Sequence, residues 1–283
     1  MLASLNYLRN SIRSGSIRNG RRLCAKLFLG ALVTCSLAQS GSAAVVTQWN
    51  FNVNSPGTNN SPVPSTGIGV ASMVGMNSNA HNGDFPTATS GIGSSDPAIS
   101  PDLSWRVRGS VSNGWSGTTS LLSGAQFTAS TAGFSGISVT LDINATDGSP
   151  RYAQFMYTTD GTTFTPFGSL FDFNSTNDNW ANGLSRDLSS ILAVDNNPNF
   201  GFKVVSAFSP VAFSDAGGSY AANAAFQRAD ADPLVGPYNG TAGNYRLDMV
   251  TISAATVVPE PASLALAAIG AASMGLLVYR RKR

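Results

Sequence analysis

The sequence predicts an all-β fold for residues 45–257, an antiparallel β-sandwich with long loops. This stretch is rich in Gly, Ser, Thr and Asn and contains no Glu and a single Lys, so it lacks most of the strong helix formers. Turn-forming residues recur roughly every 8 to 12 positions along it. Many short segments place apolar residues at alternate positions, which is typical of strands with one buried face. A two-layer sandwich accounts best for so many strands of this kind.

The clearest strand is predicted at residues 136–144, whose large apolar residues all share one face. A second strand is predicted at residues 152–158. Asp160-Gly161 predicts a turn from it into residues 162–164, because Gly tolerates the positive φ that a hairpin turn needs. The same alternation predicts further strands at residues 48–53, 104–108, 125–129, 200–208 and 245–253.

Two stretches are predicted to be long loops. Residues 54–101 and residues 209–244 are dominated by Gly, Ser, Asn, Pro and Ala, which favour turns and irregular chain. Loops of this length are either functional or poorly ordered.

The charge of the chain is divided unevenly. The chain has 283 residues, 42% hydrophobic and 11% charged, with a formal net charge of +2, a composition that excludes a disordered chain. Residues 1–44 hold six cations and no acid, residues 45–257 hold seven cations and fourteen Asp, and residues 258–283 hold four cations and one Glu. The acidic body would repel phosphate, so we expect no nucleic-acid partner.

Residues 1–44 are predicted to be a secretory signal peptide. A basic stretch ending at Lys26 precedes an apolar run at residues 27–33, and small residues follow up to Ala44. The apolar run is too short to span a bilayer as a helix. We expect cleavage after Ala44, and we expect the secretory translocon and signal peptidase as partners.

Two alternatives stay open within this segment. The Arg21-Arg22 pair is compatible with twin-arginine export, and Cys35 is compatible with lipidation of the exported chain. Both cysteines, Cys24 and Cys35, lie in the predicted signal peptide, so the mature chain would contain no disulfide.

The C-terminal segment, residues 258–283, combines three elements. A Pro259-Glu260-Pro261 motif is followed by an uncharged stretch at residues 262–279. At 1.5 Å a residue this stretch forms about 27 Å of helix, near the hydrocarbon thickness of a bilayer, and it predicts one C-terminal transmembrane helix. Four terminal cations are expected to anchor that helix on the cytoplasmic side, with the body outside: Arg280, Arg281, Lys282 and Arg283.

These elements in this order resemble a PEP-CTERM sorting signal, beginning with Val-Pro-Glu-Pro-Ala-Ser at residues 258–263. The resemblance implies a Gram-negative exported protein that an exosortase recognises at Pro259, Glu260 and Pro261 and that the helix holds transiently at the inner membrane. It also implies association with exopolysaccharide and the biofilm matrix. The prolines suit recognition, because they keep the chain extended beside the membrane.

A second resemblance concerns the body. Residues 157–161 and residues 243–248 resemble parts of the exported jelly-roll domains that often precede such tails. This resemblance implies a jelly-roll-like sandwich and names no activity.

The sequence offers little for catalysis. His81 is the single histidine and lies near Asp84, and no Gly-x-Ser-x-Gly elbow occurs in the body. Paired carboxylates of a glycosidase would have to be chosen among fourteen Asp with no distinguishing motif. We therefore expect a protein that is not an enzyme, and an exported hydrolase is the third-ranked alternative.

Calcium is the one candidate cofactor. Asp142, Asn144 and Asp147 gather oxygen ligands suited to Ca²⁺ in what we expect to be one turn. The spacing departs from the EF-hand loop and the closing Glu is absent. The alternative is that Asp and Asn serve only as turn formers.

Two tryptophans are candidates for glycan binding. Trp115 and Trp180 each lie among polar turn residues, where an exposed indole would stack on a sugar ring. The alternative is that a loop tryptophan folds back as a plug on the sandwich. Trp49 and Trp105 lie in predicted strands and are expected in the core.

The sequence thus ranks three functions. The first is a non-enzymatic exported protein of the cell envelope, outer surface or extracellular matrix. The second is a carbohydrate-binding module of extracellular polysaccharide with the same delivery, and the third is an exported hydrolase.

Overall fold

The computed structural model describes most of the predicted body and a small part of each end. All of the described residues belong to one unit, Gly41–Arg283. Most of the predicted signal peptide, the Pro259-Glu260-Pro261 motif and Lys282 and Arg283 lie outside them. The described residues are 43–53, 57–58, 61–75, 84–85, 92–97, 102–108, 115, 119–146, 148–173, 179–215, 218–229, 243–257, 269–274 and 279–281.

The described strands form two antiparallel sheets and one small hairpin. The first sheet has the order β11-β7-β15-β5-β4-β2, and β1 also pairs with β15. Its strands are β1 (Ala44–Trp49), β2 (Gly57–Thr58), β4 (Asp84–Phe85), β5 (Trp105–Val107), β7 (Phe134–Ala145), β11 (Trp180–Asp187) and β15 (Tyr245–Val257).

The second sheet has the order β10-β8-β12-β6-β3, and β9 also pairs with β8. Its strands are β3 (Val70–Val74), β6 (Gly124–Thr128), β8 (Tyr152–Thr158), β9 (Thr165–Pro166), β10 (Phe171–Asp172) and β12 (Gly201–Ala207). The hairpin consists of β13 (Phe213–Asp215) and β14 (Gly218–Tyr220), and a 3₁₀ turn occupies Leu192–Val194.

Aromatic side chains from both sheets meet in one core. Phe127 of β6 lies with its ring centroid 5.1 Å from that of Trp49 and 6.1 Å from that of Trp105, both of the first sheet. Phe127 also stacks at 5.1 Å on Phe202, which stacks at 5.3 Å on Phe155 within the second sheet. Such pairs add about 0.5–1.5 kcal/mol each beyond the apolar area they bury. Phe127 therefore bridges the two layers.

Most of the predicted strands are confirmed with small shifts of their ends. Residues 136–144 lie in β7, and residues 152–158 form β8. In β7, alternate residues from Ile137 to Ala145 are fully buried in the core, as the one-face pattern predicted. Four of the five further strands correspond to β5, β6, β12 and β15. The strand predicted at residues 48–53 is largely wrong in position, since β1 runs from Ala44 to Trp49 and residues 51–53 form a turn. The all-β antiparallel prediction is confirmed, and the jelly-roll-like connectivity stays a prediction.

The predicted hairpin is confirmed, but its second strand begins later than expected. Gly161 adopts a φ of +79°, as the turn requires. The Asp160 carboxylate accepts hydrogen bonds of 2.7 Å from the backbone N–H groups of Thr163 and Thr162, and these bonds hold the pKa of Asp160 well below its usual range. Pairing with β8 then involves Thr165–Pro166 rather than residues 162–164.

The two predicted long loops are partly wrong, since each contains strands. β3 lies within residues 54–101 and pairs with β6, and β13 and β14 lie within residues 209–244. β11 was also missed. It is an edge strand with mostly exposed or half-buried residues, so it lacks the apolar alternation by which sequence reveals a strand.

Residues 269–274 of the C-terminal segment are helical and exposed, and Ser273 Oγ donates a 2.8 Å hydrogen bond to the Ile269 carbonyl oxygen. Within the part of the chain that the structure describes, no helix has the length and apolar character needed to cross a membrane. The helix predicted at residues 262–279 lies largely outside the described residues.

The bridging position of Phe127 predicts the cost of truncating it. In the full chain, Phe127→Ala should lower the free energy of unfolding by about 3–5 kcal/mol, because both sheets lose contacts and a cavity forms. Chemical denaturation measures this change. Leu192→Ala is the matched control, since Leu192 is 78% exposed and should change stability by no more than about 0.5 kcal/mol. Equal losses in the two variants would contradict the two-layer core.

Candidate functional site

The candidate site lies on the outer face of the first sheet, opposite the aromatic core. Asp142 of β7 and Asp248 of β15 are paired across the two strands, and both are outward-facing because their neighbours Leu141 and Leu247 point into the core. Yet Asp142 is 1% exposed and Asp248 is fully buried. Two carboxyl groups on an outer face are therefore covered by another part of the chain.

A β-bulge lies on each side of Asp142. β15 carries one extra residue relative to β7 just after Asp248, and β11 carries one extra residue after Ala181. Met249 and Gly183 have positive φ values of 47° and 66° at these two places. Bulges turn side chains away from the regular alternation, and a non-Gly residue with positive φ is strained. The sheet is thus distorted next to Asp142 and Asp248.

Residues 92–97 cover the acids and are held by them. Asp142 Oδ2 accepts hydrogen bonds of 2.6 Å from both the backbone N–H and the hydroxyl of Ser95. Asp142 Oδ1 accepts one of 2.7 Å from the Gly183 N–H, and Asp248 Oδ2 accepts one of 2.8 Å from the Ser94 hydroxyl. Asp142 is consequently satisfied by charge-assisted hydrogen bonds and fixes the covering segment.

Asp248 also belongs to a cluster of three carboxyl groups, one of which, Asp96, lies in the covering segment itself. Asp96, Asp102 and Asp248 each offer one oxygen, and these oxygens lie within 4.8 Å of one another. Asp96 Oδ2 accepts a 2.7 Å hydrogen bond from Asn52 Nδ2. Asp102 is only 5% exposed, and neither of its carboxylate oxygens has a hydrogen-bond donor among the described residues. We call these three residues the acidic cluster.

The acidic cluster disfavours its own ionisation. The pKa of Asp248 is raised to about 8: burial is the largest cause, the negative charges of Asp96 and Asp102 act in the same direction, and hydrogen bonds from Ser94 and Met249 oppose the rise. Burial also raises the pKa of Asp96, with the charges of Asp102 and Asp142 acting in the same direction. Burial raises the pKa of Asp102. The cluster therefore favours bound protons or a cation.

The predicted calcium ligands do not form one turn. Asp142 and Asn144 lie within β7, so that expectation is wrong for them, and Asp147 lies outside the described residues. Asp142 borders the acidic cluster, but its oxygens already accept three hydrogen bonds from Ser95 and Gly183. The strand predicted at residues 136–144 was the correct one of the two expectations, since β7 continues to Ala145 and its core-facing residues Ile143 and Ala145 are still buried.

The two candidate tryptophans have different environments. Trp115 is 2% exposed, its ring centroid lies 4.4 Å from that of Tyr245, and Nε1 donates to the Gly243 carbonyl oxygen at 3.4 Å. The expectation of an exposed Trp115 is wrong, because the indole folds back onto the core as a plug. Trp180 is half-buried in β11 and packs beside Gly93, where an added Cβ would lie 2.9 Å from Trp180 Cδ1. Trp49 and Trp105 are fully buried, as expected.

The remaining predicted site residues lie mainly at the chain ends. Arg280 and Arg281 are described and exposed. Asp84 lies in β4 opposite Arg106 of β5, and His81 lies outside the described residues.

Sequence reasoning missed the acidic cluster, because Asp248 is more than a hundred residues from Asp96 and Asp102. One signal was present: the apolar alternation of β15 changes phase between Leu247 and Val250, which indicates a bulge beside Asp248.

The raised pKa of Asp248 predicts how stability depends on pH without divalent cations. Its folded-state value of about 8 exceeds the ordinary value of 3.8, so the folded chain binds more protons between these limits. Stability should fall as pH rises from about 5 to 8, with Tm dropping by roughly 5 °C or more. Thermal unfolding of the full chain in chelator measures this drop.

Asp248→Asn should flatten that pH dependence, whereas Asp187→Asn, at an exposed aspartate of β11, should leave it unchanged. A wild-type Tm that rises steadily from pH 5 to pH 8 would contradict the assignment to Asp248.

Comparison with known proteins identifies the C-terminal segment. Residues 257–283 match the family model of the PEP-CTERM protein-sorting motif. No curated protein sequence matches the chain. The match contains Pro259, Glu260 and Pro261 and the terminal cations, and it confirms the resemblance seen in the sequence. The chain therefore carries a PEP-CTERM sorting motif, which supports an exported protein sorted by an exosortase to the cell envelope.

Proposed function

We propose that this chain is a non-enzymatic surface or matrix protein, an all-β body that an exosortase processes and releases to the outer surface or the exopolysaccharide matrix. The observation that carries the proposal is the position of the sorting motif. The motif begins at residue 257, and Val257 is the last residue of β15. The last strand of the body and the matched sorting motif are thus contiguous in the chain.

This junction suits processing at the motif. Val257 still pairs with Phe134 of β7, so the pairing of β15 extends to the motif. Cleavage beyond Val257 would remove none of the residues that pair β15 with β7, and it would leave the body folded. Cleavage would also remove the four terminal cations and release an acidic body. An acidic body is suited to a hydrated matrix and would not adhere to anionic membrane surfaces.

The non-enzymatic part of the proposal is supported by the burial of three acids at the candidate site. Paired carboxylates of a glycosidase must contact the sugar at the scissile bond. Asp102, Asp142 and Asp248 are 5%, 1% and 0% exposed, and residues 92–97 contact two of them. In this arrangement the three carboxyl groups are inaccessible to a polysaccharide chain, which disfavours a hydrolytic role for them.

Polysaccharide binding is the second candidate function, and Trp180 is the residue that favours it. Its half-buried indole lies on β11, the edge strand of the first sheet, next to Asn182, whose amide donates a 2.9 Å hydrogen bond to the Gly93 carbonyl oxygen. A partly exposed ring beside amide groups is a common surface for stacking on a sugar. The buried Trp115 supplies no such surface.

The sorting proposal predicts the effect of Glu260→Ala in the full chain expressed with its exosortase. The variant should keep its C-terminal segment and accumulate in the inner-membrane fraction, because the charged centre of the recognised motif is lost. Mass spectrometry of the C-terminus and cell fractionation measure this. Ser263→Ala, just beyond the motif core, is the matched control and should be processed like the wild type. Normal processing of Glu260→Ala would contradict the proposal.

The polysaccharide proposal predicts different results for the two tryptophans. Trp180→Ala should lower retention of the full chain on the host's exopolysaccharide at least tenfold while Tm changes little, because the ring is half-exposed. Trp115→Ala should instead destabilise the chain by about 3–5 kcal/mol, since it empties a buried site. Affinity co-sedimentation and thermal unfolding separate the two effects. Unchanged retention of Trp180→Ala would reject binding through this ring.

A further inference from the structure

We propose that the carboxylates of Asp96, Asp102 and Asp248 bind one Ca²⁺ ion, which fastens residues 92–97 to the outer face of the first sheet. The proposal goes beyond sorting and surface display, and it does not depend on either.

The geometry of the acidic cluster fits a single ion. Ca²⁺ binds oxygen at 2.3–2.6 Å, so two ligands on opposite sides of the ion are up to about 5 Å apart. The three carboxylate oxygens lie within 4.8 Å of one another, which allows one ion to contact all three. Every donor in the cluster is a carboxylate oxygen, the ligand type of hard cations.

Asp102 provides the second, independent indication of a ligand. Both of its carboxylate oxygens are buried and accept no hydrogen bond from the described residues, and one of them faces the oxygens of Asp96 and Asp248. A buried carboxylate without a partner is costly, and Asp142, which is paired with Asp248, shows the usual solution with three donors. A cation in the cluster would give Asp102 the partner that it lacks.

The strand arrangement explains why an ion is needed at this place. β15 pairs with β5 through residues 245–247 and with β1 through residues 250–254, so its neighbour changes at the bulge beside Asp248. Asp102 lies just before β5, and Asp96 lies in the covering segment. One ion would therefore join three pieces of chain that no ladder connects at this point.

Calcium is favoured over magnesium by the form of the site. Mg²⁺ requires near-ideal octahedral geometry at 2.0–2.1 Å and keeps several waters, whereas Ca²⁺ accepts six to eight oxygens in irregular geometry. Asp102 and Asp248 are buried and Asp96 is half-buried in the covering segment, so the three ligands come from a strand and two connecting segments. Such a site suits the larger and more tolerant ion.

Titration calorimetry with CaCl₂ tests the proposal on the full chain, purified in mild detergent and freed of metal with chelator at pH 8. Wild type should bind one Ca²⁺, and its Tm should be several degrees higher in Ca²⁺ than in chelator. Asp102→Asn and Asp248→Asn should each weaken binding at least tenfold. Asp187→Asn, at an exposed aspartate, is the matched control and should bind like the wild type.

Folding of the variants is checked in chelator, where removal of one like charge should leave Tm equal or higher. The readout for each variant is therefore the difference between its Tm in Ca²⁺ and in chelator. Absence of wild-type binding at millimolar Ca²⁺ would overturn the proposal and would favour neutralisation of the cluster by protons. Equal affinity for Ca²⁺ in all three variants, or equal affinity of wild type for Mg²⁺, would also overturn it.

Fastening of the covering segment has its own measurement. Gly93 packs against the ring of Trp180, so fixing residues 92–97 should change the emission of Trp180. Trp180→Phe should abolish this change and keep Ca²⁺ affinity within about threefold of wild type. Binding without a change in Trp180 emission would overturn the fastening role.

Discussion

β15 pairs with β7 from Tyr245 opposite Ala145 to Val257 opposite Phe134, and this ladder positions every other feature of the body. Its inner face carries the alternating apolar residues that complete the aromatic core. Its outer face carries Asp142 and Asp248 side by side. Its last residue is where the sorting motif begins. The aromatic core, the outer-face acids and the position of the sorting motif therefore all depend on the register of this one strand pair. A shift by one residue would exchange the core face and the outer face of the strand.

The bulge after Asp248 shows how the ladder accommodates two neighbours on its other side. β5 pairs with the first part of β15, β1 pairs with the second, and Met249 takes a strained φ of 47° between them. At this change of neighbours the Met249 backbone N–H donates a 2.8 Å hydrogen bond to the Asp248 carboxylate. The same face binds the covering segment through side-chain oxygens: Asp142 accepts hydrogen bonds from Ser95, and Asp248 accepts one from Ser94.

Buried negative charge sets the electrostatics of this outer face. Burial is the largest cause that raises the pKa of Asp96 and of Asp248, and neighbouring negative charges add to it: those of Asp102 and Asp142 at Asp96, and those of Asp96 and Asp102 at Asp248. Asp142 balances its burial with three donors, whereas Asp102 has none among the described residues. Such an arrangement is stable only if protons or a cation neutralise the excess charge. Asp142 therefore serves to hold the covering segment, whereas Asp102, which faces Asp96 and Asp248, is the carboxylate that a cation would satisfy.

The sequence by itself determined the delivery of this protein and the class of its fold. A sorting motif works as a linear sequence, so the order of Pro-Glu-Pro, uncharged stretch and basic end was sufficient to recognise it. The strands with one buried face were also visible, because their alternation repeats every two residues. Strands without that contrast were missed: β11 is an edge strand with few buried residues, and β3 has one fully buried residue, Ala71.

Only the tertiary structure decided that Trp115 is a plug and that the acidic cluster exists. Asp96, Asp102 and Asp248 share no spacing, and they meet because the bulged end of one strand lies beneath a segment far from it in the chain.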